Sequence, residues 1–96
     1  MTKAERQHLS NLADLGCILC AVQGNSGTPA EIHHPRKGTG MAMKASHFDA
    51  IPLCVYHHRS SEGLHGLGTK GFKRVYNLDE AELLTLTKKA LELHHG

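Results

Sequence analysis

The spacing of cysteine and histidine residues constrains this fold more than any other feature of the sequence. Cys17 and Cys20 are separated by two residues, and Cys54 and His57 repeat that spacing further along the chain. Structural zinc is usually held by four tetrahedral sulfur or nitrogen ligands, and a two-residue gap lets a tight turn direct both side chains of a pair at one ion. The two pairs therefore predict a closed, structural zinc site with three cysteine ligands and one histidine ligand.

The composition explains why such a domain would need a metal. The chain has 96 residues, 4% aromatic residues and ten glycines, so we expect a single domain over residues 1–96 with a small core. Three cysteines are an odd number, and the first residues do not resemble a signal peptide, so thiolate–metal bonds in a reducing cytoplasm are expected rather than disulfides. No apolar run approaches the ~20 residues of a membrane-spanning helix, so no membrane partner is expected.

Positive charge is concentrated in the middle of the chain. Seven lysines and arginines lie between Arg36 and Arg74 with two acidic residues, Asp49 and Glu62, which gives this stretch a net charge of +5. A basic centre around histidines fits a polyanionic partner such as DNA, although a solvated surface of mixed charge would give the same count. The candidate DNA-binding residues are Arg36, Lys37, Lys44, Arg59, Lys70 and Lys73.

Capping signals and hydrophobic periodicity predict a helix at each end of the chain. Residues 2–15 begin with capping-box spacing and carry an apolar stripe, and Gly16 is a suitable C-terminal stop. Asp79 and Glu82 have the same capping spacing, and leucines recur at helical intervals over about 79–94. Both segments are therefore predicted to be helical.

The central part of the chain predicts short elements joined by loops. Residues 30–33 and 51–53 are expected to be extended, and residues 36–46 form a basic stretch without a clear period. A short helix is expected from His57, where nearby glycines limit its length, and another short helix or turn over 69–76.

Several histidines remain after the zinc pairs are assigned. Histidine can ligate a divalent ion or act as a general base, and a hydrolytic metal site needs a few fixed ligands with free positions for water and substrate. The favoured functional candidates are His33, His34, His58 and His65, whereas His8, His94 and His95 are interpreted as surface or structural residues. His47 fits a ligand, a hydrogen-bonding scaffold or a surface residue equally well. His65 could also replace His57 in the zinc site.

Taken in order, these motifs resemble those of the HNH, or ββα-metal, nucleases. The motifs are Cys17-Ile18-Leu19-Cys20, Ile32-His33-His34-Pro35-Arg36, Lys44-Ala45-Ser46-His47, Ile51-Pro52-Leu53-Cys54-Val55-Tyr56-His57-His58 and Leu64-His65-Gly66. The sequence is most similar to the small phage and prophage branch that includes the recombination-enhancement, RecA-dependent nucleases. The resemblance implies an α+β fold, with a small zinc-stapled ββα-metal (HNH) core over about 17–76 and a flanking helix on either side.

The resemblance also implies roles for individual residues. His34 stands where the family has its general base, which deprotonates water for attack on a DNA phosphodiester. His33, His58 and His65 stand as ligands of a catalytic divalent ion (Mg, Mn, Ni or Zn), and the reverse assignment of His33 and His34 stays open. The two candidates for supporting roles are His47 and Asp49, and Asp49 occupies a position where the family usually has Asn. A RecA-type recombinase filament is an implied partner.

Two other classes of function fit the same sequence. A non-catalytic zinc-binding module would hold one zinc ion and bind nucleic acid in a salt-dependent way. A structural or protein-interaction domain would bind DNA weakly even at low salt. The surplus of histidines in a basic centre favours the third class, a metal-dependent DNA endonuclease that is phage or prophage encoded and linked to recombination.

Overall fold

The computed structural model describes residues 1–35 and 46–95, with side chains described as far as residue 93. Three candidate DNA-binding residues, Arg36, Lys37 and Lys44, lie outside the described residues, and so do the side chains of His94 and His95. Five helices and one two-stranded sheet are present within the described ranges, which confirms the predicted α+β class. In chain order the elements are α1 (Lys3–Leu15), α2 (Ile18–Val22), β1 (Glu31–His33), a 3-10 turn (His47–Asp49), β2 (Ile51–Leu53), α3 (Val55–Arg59), α4 (Leu64–Tyr76) and α5 (Glu80–His95).

Both predicted terminal helices are confirmed, and each begins with a reciprocal capping box. At α1 the backbone N–H of Glu5 donates to the Thr2 hydroxyl at 3.1 Å, and the Glu5 carboxylate accepts from the Thr2 N–H at 2.7 Å. At α5 the Glu82 N–H donates to the Asp79 carboxylate at 2.8 Å, and Glu82 accepts from the Asp79 N–H at 3.0 Å. These bonds satisfy backbone donors that have no partner inside the helix.

The central helices differ in extent from the sequence prediction. The short helix expected from His57 begins two residues earlier, at Val55, because Cys54 acts as its N-cap. The helix expected over 69–76 is longer and starts at Leu64. The helix from His57 ends at Arg59, before the glycines that were expected to limit it, and Gly68, with a φ of +72°, instead interrupts α4.

The small core lies where the sheet meets the helices. Strands β1 and β2 are antiparallel, with His33 opposite Ile51. β2 is entirely buried, and it contacts α1, α2, α3 and α5. The largest fully buried apolar side chains are Phe72, Leu12, Leu19, Ile51, Leu53 and Leu83. Burial of each contributes about 1.5–3 kcal/mol, so these residues hold the helices around the sheet. None of the helices described combines the length and the apolar character needed to cross a bilayer.

Close backbone contact joins the start of α4 to α3. Gly63 lies so near the preceding helix that a Cβ atom there would be 2.6 Å from the carbonyl oxygen of Tyr56 and 2.7 Å from the carbonyl carbon of His57. Real Cβ atoms do not approach backbone atoms this closely. The absence of a side chain at Gly63 therefore brings α4, which carries His65, against α3, which carries His58.

We predict that Gly63→Ala destabilises the domain by about 1–3 kcal/mol, because the added methyl group forces α3 and α4 apart. Denaturant unfolding followed by circular dichroism measures this change. The control is Gly24→Ala, which measures the cost of replacing a glycine where no steric clash results. Gly24 has a φ of +93°, but a methyl group added there would meet nothing within 4 Å, so its cost is backbone strain alone. Equal stability of wild type and Gly63→Ala would contradict the close packing.

Candidate metal centres

The cysteine pairs are presented by two short helices that begin in the same way. Cys17 is the N-cap of α2, and its Sγ accepts from the backbone N–H of Cys20 at 3.4 Å. Cys54 is the N-cap of α3, and its Sγ accepts from the N–H of His57 at 3.5 Å. In both cases the backbone N–H three positions after the N-cap bonds to the cap sulfur. This turn brings the two side chains of each pair close together.

The four side chains of these pairs converge on one buried point. Their ligand atoms all lie within 4.8 Å of one another. The His57 Nδ1 atom is 3.6 Å, 3.5 Å and 3.3 Å from the sulfurs of Cys17, Cys20 and Cys54, and the Cys20 and Cys54 sulfurs are 3.7 Å apart. A tetrahedral zinc ion with ordinary bond lengths separates its ligand atoms by about 3.5–3.8 Å. This buried Cys3His cluster therefore has the donors and the dimensions to bind a metal such as zinc.

Burial acts on the protonation of Cys17 and His57 in ways that differ in their effect on metal binding. Burial raises the pKa of the Cys17 thiol to about 12, although the backbone N–H groups of Cys20 and Cys54 favour the thiolate. Burial lowers the pKa of His57, which keeps its imidazole neutral and able to ligate. A metal ion deprotonates a coordinating thiol outright, so it would convert Cys17 into the thiolate that burial alone disfavours.

A second cluster is formed by His33, His58 and His65, whose ligand atoms also lie within 4.8 Å of one another. His33 Nδ1 is 3.2 Å from His58 Nε2, and the ring centroids of His58 and His65 are 4.5 Å apart. Partial desolvation, together with the neighbouring His58 and His33, lowers the pKa of His65. A neutral His65 imidazole is therefore favoured, which is the form that binds metals.

Two carboxylates contact the outer nitrogens of this cluster, which are the ring nitrogens of His33 and His58 that do not face each other. His33 Nε2 lies 2.7 Å from Glu80 Oε2, and His58 Nδ1 lies 2.9 Å from Glu31 Oε1. The hydrogen bond from His58, supported by Arg59, lowers the pKa of Glu31, so this carboxylate is ionised. A carboxylate can only accept from the imidazole, so the outer nitrogen of each ring carries the hydrogen.

This arrangement leaves the two inner nitrogens with lone pairs that face each other. When both imidazoles are neutral and donate to the carboxylates, His33 has its lone pair on Nδ1 and His58 has its lone pair on Nε2, and these two atoms are 3.2 Å apart. Two facing lone pairs repel unless a cation lies between them. A shared proton would bridge only two nitrogens, whereas His65 brings a third nitrogen to the same point. Three converging nitrogens are better suited to a metal ion, whose nitrogen ligands lie about 3.0–3.4 Å from one another.

His34 lies beside the triple-histidine cluster and contacts His47. The distance from His34 Nε2 to His47 Nδ1 is 2.9 Å. His34 lines a cavity of about 500 Å³ together with His33, His58 and His65. The structure thus brings all four favoured histidines to one cavity and places His47 behind one of them.

The remaining candidate residues lie away from the two clusters or are paired. Asp49 accepts from Lys88 at 3.1 Å and does not belong to either histidine or cysteine cluster in the described part of the chain. Arg59 donates to Glu31 through Nε at 2.9 Å, and Lys73 pairs with Glu82 at 2.6 Å. Lys70 is exposed on α4. His65, the alternative fourth zinc ligand, lies with His33 and His58 rather than with the cysteines.

Sequence reasoning missed the two carboxylates. Glu31 stands two residues before His33 on β1, and strand alternation places residues at this spacing on the same face, so that signal was present. Glu80 belongs to α5, and nothing in its local sequence connects it with His33. Only the packing of α5 against the rest of the fold brings this pair together.

We predict that Cys20→Ser unfolds the domain and abolishes zinc binding at the Cys3His cluster. Structural zinc supplies about 10–16 kcal/mol in small zinc domains, which exceeds the net stability of most domains of this size. Elemental analysis and circular dichroism measure the two effects. His65→Ala is the matched control, because His65 is exposed and lies in the other cluster. A folded Cys20→Ser variant, or a wild-type fold that survives complete chelation, would contradict this prediction.

Comparison with known proteins places the chain in a family. A family model described as recombination enhancement, RecA-dependent nuclease matches residues 1–93. No curated protein matches the sequence. Because the family model spans nearly the whole chain, the matched residues include the Cys3His cluster and the triple-histidine cluster. The chain belongs to the recombination enhancement, RecA-dependent nuclease family.

Proposed function

We propose that this protein is a metal-dependent endonuclease of the HNH type that hydrolyses DNA phosphodiester bonds in recombination. The family description names a RecA-dependent nuclease, and the basic central segment fits a polyanionic substrate. The proposal extends to a RecA-type filament as the partner on which cutting takes place, as the family name suggests.

The observation that carries the proposal is the arrangement of nitrogens at the triple-histidine cluster. His33 Nδ1 and His58 Nε2 lie 3.2 Å apart, the other nitrogen of each ring contacts a carboxylate, and His65 lies beside them. A purely structural zinc module needs only the Cys3His cluster. The second, more open cluster opens into the cavity of about 500 Å³, where a phosphodiester has access to it.

The order of elements also supports an HNH core. Antiparallel strands β1 and β2 are followed directly by α3, and the ligands come from β1, α3 and the start of α4. β1 supplies His33, α3 supplies His58 and α4 supplies His65. This order supports the ββα arrangement that the sequence resemblance implies.

Each residue has a proposed task in hydrolysis. His33, His58 and His65 would hold a divalent ion such as Mg²⁺, Mn²⁺, Ni²⁺ or Zn²⁺. That ion, when bound, would supply Lewis-acid stabilisation of charge on the scissile phosphate and the leaving oxygen. His34 would accept the proton of the attacking water, and the contact from His47 at 2.9 Å would orient its ring.

Lys70 and Arg59, at the exposed surface, are proposed to contact DNA phosphates, as are Lys73 and the residues Arg36, Lys37 and Lys44.

We predict two metal ions in each wild-type chain and one in the His58→Ala variant. Removal of His58 eliminates one ligand of the open cluster but leaves the Cys3His cluster with all four of its donors. Elemental analysis after equilibration with Zn²⁺ measures the stoichiometry. A His58→Ala protein that retains both ions, or a wild-type protein that binds only one at saturating metal, would contradict the second site.

We predict that His34→Ala reduces DNA cleavage by a factor of about 10²–10⁴, the usual contribution of general-base catalysis. Nicking of plasmid DNA with Mg²⁺, Mn²⁺ or Ni²⁺, in the presence and absence of a RecA filament, measures the rate. His94→Ala, near the end of α5, is the matched histidine control and should cut as wild type does. The metal content of His34→Ala should remain at two ions per chain.

The same assay discriminates the competing functions. A wild-type protein that cuts neither single-stranded nor double-stranded DNA under any of these conditions contradicts the endonuclease. Salt-dependent DNA binding without cleavage would then indicate the non-catalytic nucleic-acid-binding module. Cleavage that is unchanged in His34→Ala would remove the general-base role from this residue.

A further inference from the structure

One contact at the triple-histidine cluster is made by a residue from the last helix. Glu80, the first residue of α5, places Oε2 2.7 Å from His33 Nε2. Only 13% of the His33 side chain and 20% of the Glu80 side chain are exposed. Limited access of water makes such a charge-assisted hydrogen bond stronger than an ordinary surface ion pair.

The position of Glu80 is fixed by contacts of α5 that do not involve the histidine cluster. Asp79 and Glu82 form the capping box that starts α5, with Glu80 between them. Glu82 also accepts from Lys73 at 2.6 Å, which ties this turn to the end of α4. Leu83 is fully buried and anchors the first turns of α5 in the core. The helix therefore presents Glu80 to His33 in a fixed position.

The second carboxylate, Glu31, is in a different electrostatic situation. Glu31 accepts from His58 and also pairs with the guanidinium of Arg59. Arg59 neutralises much of the charge that Glu31 could direct at His58. In the part of the chain that the structure describes, Glu80 pairs with His33 and with no lysine or arginine. No cationic side chain in the described residues competes with His33 for this carboxylate.

We propose that Glu80 is a positioning residue for the metal ligand His33, and that α5 is thereby part of the metal centre. The inference rests on the proposed function, since it requires that His33, His58 and His65 hold a divalent ion. A histidine that donates its outer N–H to a carboxylate is held in one tautomer and one orientation, and its inner nitrogen becomes a more basic ligand. Glu80 acts through His33 and does not touch the reacting atoms.

The test measures metal affinity rather than cleavage. Protein whose Cys3His cluster is already loaded with zinc is titrated with Co²⁺, and binding at the histidine cluster is followed by visible d–d absorption. We predict that Glu80→Ala weakens Co²⁺ binding by about 10–100-fold, as removal of such a partner typically does. Glu80→Gln should recover part of the loss, because its amide oxygen still accepts from His33 but carries no charge.

Glu92→Ala is the matched control, because Glu92 is an exposed glutamate of the same helix. This variant should bind Co²⁺ with wild-type affinity. Unchanged zinc content and thermal unfolding in the Glu80 variants show that the fold is intact. Glu80→Gln, which preserves side-chain size, keeps the test usable if the alanine variant does not fold.

The outcomes separate this inference from the proposed function. Wild-type Co²⁺ affinity in Glu80→Ala or Glu80→Gln overturns the positioning role and leaves the metal-dependent nuclease standing. A loss in Glu80→Gln as large as in Glu80→Ala also overturns it, because hydrogen-bond acceptance would then contribute nothing. A wild-type protein that binds no Co²⁺ beyond its zinc overturns the proposed function, and the inference with it.

Discussion

The buried Cys3His cluster is the constraint on which the rest of this structure depends. It joins the start of α2 to the start of α3, two segments that lie far apart in the sequence. Each of these helices has five residues, which is too short for stability in isolation. The core around them contains one fully buried aromatic residue among those described, Phe72. A metal ion at the cluster would bind both helix starts and compensate for the small apolar core.

The five-residue helix α3 also links the two clusters. His57 belongs to the buried cluster and His58 belongs to the open one. Consecutive residues of an α-helix project about 100° apart, so one turn of helix serves two different centres. A metal ion held by His57 would therefore also fix the position of His58. Gly63 provides a second restraint on the open cluster, because its close contact with α3 determines how near His65 lies to His58.

Features encoded locally could be predicted from the sequence. The capping boxes at α1 and α5 and the paired cysteines depend on residues within three positions of one another, so spacing alone reveals them. The start of α3 at Val55 was harder to predict, because it required a cysteine to act as the N-cap. The helical segments on both sides of Gly68 were likewise unexpected, because glycine interrupts the helix there at a φ of +72° without ending it.

Contacts between distant segments could not be predicted in the same way. The approach of His34 to His47 joins residues 13 positions apart in the sequence, which no local pattern relates. The pairing of Glu80 with His33 depends on the docking of an entire helix, which no local pattern records. Candidate ligands were therefore accessible from residue type and spacing, and Glu31 could have been found from strand alternation, whereas Glu80 could not.

The place of Glu80 along the chain has a consequence for synthesis. Chains are made from the N-terminus, so all three histidines of the open cluster leave the ribosome before Glu80 does. Leu83, which anchors α5 in the core, follows later still. Under the proposed role of Glu80, a nascent chain already holds its metal ligands but lacks the contact that orients His33. Full metal affinity would then arise only after the last helix has docked, so partly made chains would be poor nucleases.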